Sequence, residues 1–360
     1  MFSTKRVHKF RDRDKRVEFT IHHSMFDPER IGSLTDSYTN LEAVLRGDML
    51  YHYAGSVPAL YWIALCRHPQ YGHLELVDLV DRSFPQIVRV LHANVKGLTP
   101  LDFVSLGPGD GEIDIRVLHH LEDSFDVRCY HCLDFSFELL RHAVFRVSTA
   151  RALKNHFRIQ AIWGNFLESG SMVVGKESVR LFALTGFTLG NYNEAELLGK
   201  IHRLMTPRDF LLVDAHLHDL KTWNGQLPVS SQELLPLLNN YTQDTTNRFV
   251  FGPVEAATTA TAADVTFGYG INREMTSVPR ALNATIFCRD LRTRMRFSGE
   301  AVNRERLNLA STTFYDCTNL KKWFPTAGFQ CVWETQEGCV ALFLLRPSAD
   351  GVSPSSIILT

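Results

Sequence analysis

Val104-Ser105-Leu106-Gly107-Pro108-Gly109-Asp110-Gly111-Glu112 reads as a buried strand running into a glycine turn and then a helix. Residues 107, 109 and 111 are all glycine, so the backbone there approaches a ligand with no Cβ in the way. The next strand, Val127 to Cys132, runs into Leu133-Asp134-Phe135. Asp134 then falls where an α/β nucleotide fold places the carboxylate that takes ribose hydroxyls. Alone, it also reads as a capping aspartate, because Ser136 follows at a helix start. Turn and acid together point to a nucleoside-type ligand.

Outward from this stretch, strands and helices alternate. Phe103 to Leu106, Arg128 to Leu133, Phe157 to Trp163, Val179 to Leu184 and Phe210 to Ala215 read as strands. Ile113 to Leu121 and Phe137 to Thr149 read as helices, and Asn193 opens another, with Glu196 completing a capping-box pattern. Such alternation predicts a parallel sheet covered on both faces, with ligands at the edge carrying the strand C-terminal ends. Residues 219–315 break the pattern, and Ala284 to Cys288 with Thr293 to Phe297 read as an inserted antiparallel hairpin. Asn319 to Thr326 reads as a helix. Gln330 to Thr335 and Val340 to Arg346 form a closing hairpin around Glu337-Gly338, a feature characteristic of S-adenosylmethionine-dependent methyltransferases. The predicted fold class is α/β: a class I, Rossmann-like methyltransferase sheet with an inserted α+β substrate-binding domain. The expected division is a core of residues 80–218 plus 316–348, a substrate-binding domain of 18–79 plus 219–315, and a basic, solvated tail over 1–17.

The bulk composition narrows the classes. The chain has 360 residues, is 45% hydrophobic and 21% charged, and carries a net charge of −1, so no global field favours nucleic acid or an anionic membrane. Lys5 to Arg16 is basic but holds Asp12 and Asp14, which reads as a tail more readily than as a nucleic-acid arm. No apolar run follows it as in a signal peptide, and no stretch reaches the roughly 18 apolar residues of a membrane span. Seven scattered cysteines suit reduced thiols and a cytoplasmic location. Cys129 and Cys132 lie on opposite faces of a strand with no second pair at zinc spacing, so no metal site is expected.

The glycine turn departs from a dinucleotide fingerprint, because Glu112 stands where the third glycine belongs. Asp110, Glu112 and Asp114 crowd the helix start and would repel a pyrophosphate. S-adenosylmethionine has no phosphate and carries a sulfonium and an ammonium, so acids suit it. A dinucleotide site and an empty structural turn are the alternatives.

Leu184-Thr185-Gly186-Phe187-Thr188-Leu189-Gly190-Asn191-Tyr192 is more specific. With the glycine turn, it resembles the histidine-specific methyltransferase family, which includes the histidine Nα-methyltransferase of ergothioneine synthesis and fungal N-methyltransferases of ergot alkaloid pathways. Tyr51-His52-Tyr53-Ala54-Gly55-Ser56 followed by Pro69-Gln70-Tyr71, and Asn240-Tyr241-Thr242-Gln243-Asp244, are similar to two further family segments. The resemblance spans about residues 48–345. It implies that Gly107, Pro108, Gly109, Asp110 and Gly111 lie along the methionine part of S-adenosylmethionine, that Asp134 and Phe135 flank the ribose, and that Asn165 and Phe166 face the adenine, with Thr185 nearby. Asn165 replaces the family's aspartate, and its carbonyl can still accept the adenine amino hydrogen bond. Asn191 and Tyr241 match residues that grip a substrate carboxylate, and Tyr51 and Tyr71 match aromatic residues of the substrate chamber. Each also has a plain structural reading, as a turn, core or surface residue.

Two departures bear on the substrate. Ile113 stands where the family has a basic residue, and Leu309 with Ser311 stands at its Glu-x-Ser pair. A leucine leaves an imidazole N–H unpaired, which costs roughly 1–3 kcal/mol, so the expected substrate is an aromatic or apolar amino acid, or an amine made from one. Tyr51 is the expected group orienting the nitrogen; His216 and His218 are alternative proton acceptors. The competing functions are another transfer from S-adenosylmethionine and a catalytically silent, cofactor-binding scaffold.

Overall fold

The computed structural model describes residues 7–11, 16–21, 56–69, 71–95, 100–154, 156–166, 178–218, 244–272, 275–295, 299 and 301–348. Nine strands form the main sheet: β1 (Val7–Arg11), β2 (Arg16–Ile21), β3 (Leu101–Leu106), β4 (Val127–Asp134), β5 (Arg158–Trp163), β6 (Val179–Leu184), β7 (Phe210–His216), β11 (Phe329–Glu337) and β12 (Val340–Pro347). Their order is β1-β2-β5-β4-β3-β6-β7-β12-β11. Every pairing from β2 to β7 is parallel, whereas β12 is antiparallel to both β7 and β11. Every residue of β3, β6 and β7 is buried, as expected of central parallel strands covered on both faces.

The helices α2 (His73–Asn94), α3 (Glu112–Ser124) and α4 (Phe137–Thr149) contribute Phe84, Val117 and Leu140 to one core with Phe103 and Tyr130 of the sheet. On the opposite face, α5 (Glu194–Leu204) and α7 (Cys317–Trp323) pack Leu198, Ile201 and Leu320 against Val104, Phe182 and Phe343. The Asn193 side chain accepts the Glu196 N–H at 3.2 Å, so the expected cap opens α5. The chain walks outward from β3 to β5 and returns to β6 beside β3, which makes the β3/β6 boundary the topological switch point.

A second, antiparallel sheet has the order β10-β9-β8, with β8 (Thr266–Ile271), β9 (Leu282–Arg294) and β10 (Ala301–Phe314). The helices α1 (Ser56–Cys66) and α6 (Asp244–Ala257) pack on each other beside it.

Three expectations need correction. The supposed tail supplies β1, paired antiparallel with β2 at the sheet edge; basic residues such as its Lys9 and Arg11 are what an edge strand tolerates. The helix α2 runs through residue 80, where the core was expected to begin. The expected hairpin is, over its described part to Arg294, one continuous strand, because β9 passes through Arg289-Asp290 and pairs with β10 instead. Asp290 absorbs the irregularity with φ 55°.

Candidate functional site

A cleft opens at the C-terminal edge of the sheet, on the switch point between β3 and β6. The turn after β3 gives it Gly107 and Gly109, β4 and its exit give Asp134 and Phe135, and α4 gives Leu139. Phe166 follows β5, while Thr185, Gly186, Thr188, Asn191 and Tyr192 follow β6. Trp62 of α1 closes one side.

The three glycines perform different tasks. All have left-handed backbones, with φ 78°, 56° and 80° at Gly107, Gly109 and Gly111. A Cβ on Gly107 would meet only Phe166, at 4.0 Å, so this position is open to the cleft. A Cβ on Gly109 would overlap the indole of Trp62. At Gly111 it would stand 2.9 Å from Ala143 Cα, so this glycine lets α3 approach α4.

The acids after the turn are less free than the sequence implied. Arg146 of α4 pairs with both Asp110 and Glu112. Asp114 lies below the turn, accepts the Ser105 hydroxyl at 3.0 Å and is bonded by Tyr130; burial pushes its carboxyl up to about 7. Repulsion therefore argues more weakly against phosphate than expected. A bonding argument replaces it: the Glu112 N–H, at the start of α3, already donates to Asp110 Oδ1 at 3.1 Å. That occupies an amide a phosphate would need.

Asp134 is 7% exposed and accepts the Ser136 N–H at 2.7 Å, while Ser136 caps α4 by accepting from Leu139 N–H. Burial pushes the Asp134 carboxyl up to about 7, against the lowering effect of backbone N–H groups from Ser136, Gly109 and Phe135. Donors from a ligand would favour its charged form. Phe166 lies edge-on to Tyr192, with ring centres 6.3 Å apart.

After β6, Phe187 adopts φ 65°, a conformation costly for a side chain with a Cβ. Asp214 of β7 holds it there by accepting the Phe187 N–H at 2.9 Å, and burial lifts the Asp214 carboxyl to about 7. The Thr188 hydroxyl donates to Thr185 O at 3.0 Å, closing the 3-10 turn Thr188–Asn191. Gly190 lies against the backbone of Thr313, which ties this turn to β10. His216 is stacked between Phe187 (3.6 Å) and Phe314 (5.6 Å). Burial lowers its pKa to about 3, so it is neutral and a poor proton acceptor at physiological pH. His218 Nε2 bonds with the carbonyl of Arg280 at 2.9 Å.

The cleft thus brings together Gly107, Gly109, Asp134, Phe135, Phe166, Thr185 and Asn191. Pro108, Asp110 and Gly111 belong to the turn but do not line it, and Asn165 is half-buried beside Phe166. Tyr71 is buried edge-on to Phe187 and His216. Leu309 is fully buried at a bulge of β10, in the core, and Ser311 pairs with Thr285; neither lines the cleft. Tyr51 and Tyr241 lie outside the described residues. Sequence reasoning missed Trp62, Leu139, Gly186, Thr188 and Tyr192. Thr188 and Tyr192 sit inside the quoted glycine-asparagine segment, whereas Trp62 reaches the cleft only through the packing of α1. Ile113 is a core residue of α3. Among the described residues, no group of three or more His, Cys, Asp or Glu side chains could hold a metal, and no helix is long and apolar enough to cross a membrane.

The order β5-β4-β3-β6-β7-β12-β11, with β12 reversed, is the class I S-adenosylmethionine-dependent methyltransferase fold. No family model and no curated protein matches the chain. Among solved structures, it is similar to the CcbJ methyltransferase of Streptomyces caelestis, at 12% identity over 74% of this chain and 95% of that one, with a TM-score of 0.36. It is similar to human N-acetylserotonin methyltransferase at 13% identity over 90% and 69%, with a TM-score of 0.37. The Burkholderia thailandensis 1,6-didemethyltoxoflavin-N1-methyltransferase gives 10% identity over 81% and 88%, with a TM-score of 0.37.

Proposed function

We propose that this protein is an S-adenosylmethionine-dependent N-methyltransferase. Its acceptor is the amine of an amino acid, or of a small molecule built from one, with an aromatic or apolar side chain; the coproduct is S-adenosylhomocysteine. The observation that carries this reading is the meeting of an open Gly107, a buried Asp134 and Asn191 in one cleft.

The residues fit the cofactor. Asp134 offers a carboxylate to two ribose hydroxyls. Phe135, Leu139 and Phe166 offer apolar surface to a purine, and Gly107 leaves backbone exposed to the methionine arm. The amide already engaged at the start of α3 favours a ligand without phosphate. When bound, S-adenosylmethionine supplies a methyl group activated by its sulfonium charge.

The chain's own part is positioning. Asn191 presents an amide with donors and an acceptor, matching the carboxylate and amine of an amino acid. Holding reactants at near-attack distance contributes roughly 7–11 kcal/mol to such reactions. The family resemblance assigns Tyr51 to orient the nitrogen and Tyr241 to the substrate carboxylate, both outside the described residues, while Tyr71 backs the cleft through Phe187 rather than lining it. The burial and stacking of His216 and the bond from His218 Nε2 to the Arg280 carbonyl support loss of the amine's proton to solvent rather than to either ring. Since Leu309 stands away from the cleft, the preference for an aromatic or apolar acceptor rests on Trp62 and Tyr192, which give the cleft wall its aromatic surface.

The test is incubation with S-adenosylmethionine and a panel of amino acids and aromatic amines that includes histidine. The expected result is a product heavier by one or more methyl groups with release of S-adenosylhomocysteine. Cofactor consumption without methyl gain, or binding without turnover across the panel, would overturn the reading.

A further inference from the structure

His73 opens α2 and is 5% exposed. Neither Nδ1 nor Nε2 has a hydrogen-bond partner among the described residues. A buried imidazole left unpaired is uncommon unless something outside the chain completes its bonds.

His73 does not line the cleft itself but stands directly behind Trp62, which does, at the glycine-turn end. Gly72, which caps α2 with φ 80°, is wedged against the end of β7 and the loop after β6: a Cβ there would stand 2.9 Å from His216 Nε2 and 3.6 Å from Phe187. The His73 ring meets Trp62 edge-on, with centres 6.1 Å apart, and Trp62 in turn covers Gly109. Asp110, Glu112 and Arg146 act on the ring electrostatically. These three are already paired with one another, and the Glu112 amide is taken by Asp110. Among the described residues, His73 is therefore a polar side chain at the glycine-turn end with bonds still to make.

A ribose on Asp134 would leave the amino-acid end of a nucleoside sulfonium along Gly107 and Gly109, the side of the cleft that Trp62 covers and His73 backs. A neutral imidazole offers one donor and one acceptor, which matches a zwitterion of α-carboxylate and α-ammonium. The positive end of the 22-residue helix α2 also favours a carboxylate there. We propose that His73 binds the amino-acid end of the cofactor. The proposal rests on the S-adenosylmethionine reading of the same cleft.

Isothermal titration of the full chain with two probes tests it. S-adenosylhomocysteine carries the amino-acid end, and 5′-methylthioadenosine lacks it. In His73→Phe, which keeps a ring against Trp62, the dissociation constant for S-adenosylhomocysteine is expected to rise about 10- to 100-fold, the usual loss for a hydrogen bond to a charged group. That for 5′-methylthioadenosine should stay within about twofold of wild type. His73→Gln, which retains a donor and an acceptor, should recover part of the loss and serves as the main readout if the phenylalanine variant does not fold. Equal weakening of both probes would mark His73 as a packing residue, and unchanged affinity for both would remove it from the site; either result overturns the proposal. If wild type binds neither probe, the cofactor reading itself fails, and the proposal with it.

Discussion

Replacing Asp134 with asparagine should separate stability from binding. Burial lifts this carboxyl from 3.8 to about 7, so holding it charged in the empty cleft costs about 4 kcal/mol. An amide of the same shape avoids that cost and still accepts the Ser136 N–H. A raised carboxyl pKa means that the native state binds more protons than the unfolded chain between pH 4 and 7, so the wild-type side chain subtracts stability as pH rises through that window. Relative to wild type, Asp134→Asn should therefore gain stability between pH 5 and pH 8, measured by urea unfolding at both. Binding should move the opposite way. Two hydrogen bonds from ribose hydroxyls to a carboxylate are worth roughly 1.5–3 kcal/mol each. The amide keeps about one of them, so S-adenosylhomocysteine should bind about 10- to 100-fold more weakly at pH 8. Unchanged affinity, or affinity and stability falling together, would refute the assignment of Asp134 to the ribose.

Further expectations follow from particular contacts. Gly111→Ala combines a left-handed backbone with an overlap on Ala143 and should destabilise the protein by roughly 2–4 kcal/mol; thermal melting checks this, and the folded fraction should keep its cofactor affinity because residue 111 faces α4. Asp214→Asn should gain stability relative to wild type as pH rises from about 4 to about 7, because its buried carboxyl is raised like that of Asp134; a difference independent of pH in urea melts would contradict the burial argument. Asn191→Ala should raise the KM of the acceptor about 10-fold or more with little effect on S-adenosylhomocysteine binding, and steady-state kinetics with calorimetry separates the two.

Much of the main sheet was legible because its strands are short apolar runs broken by glycine, serine and aspartate. The turn at 107–111 and the cap at Asn193 are local devices that need no tertiary context. β1 escaped notice because Lys9 and Arg11 make a short basic stretch that resembles a solvated tail until β2 supplies a partner. The continuous β9 was misread because Arg289-Asp290 has the composition of a turn, and only pairing with β10 shows that the strand continues. At the site, Asp134 was readable from its place at the end of β4. The role of Gly111 was not, since it depends on Ala143 of the next helix. Acid charge at 110–114 was overestimated because Arg146 lies far along the chain. Trp62 and His73 were invisible for the same reason: each is one polar or aromatic residue on an ordinary helix, and its meaning comes from Gly109 and Asp110 approaching from elsewhere.

Titration calorimetry of the purified chain with S-adenosylmethionine, S-adenosylhomocysteine, NAD and ATP tests the nature of the ligand most directly. Saturable binding of the two sulfur nucleosides, with no heat from NAD or ATP, is expected if the glycine turn serves a phosphate-free cofactor. Tight binding of NAD or ATP, with none of either sulfur nucleoside, would contradict it.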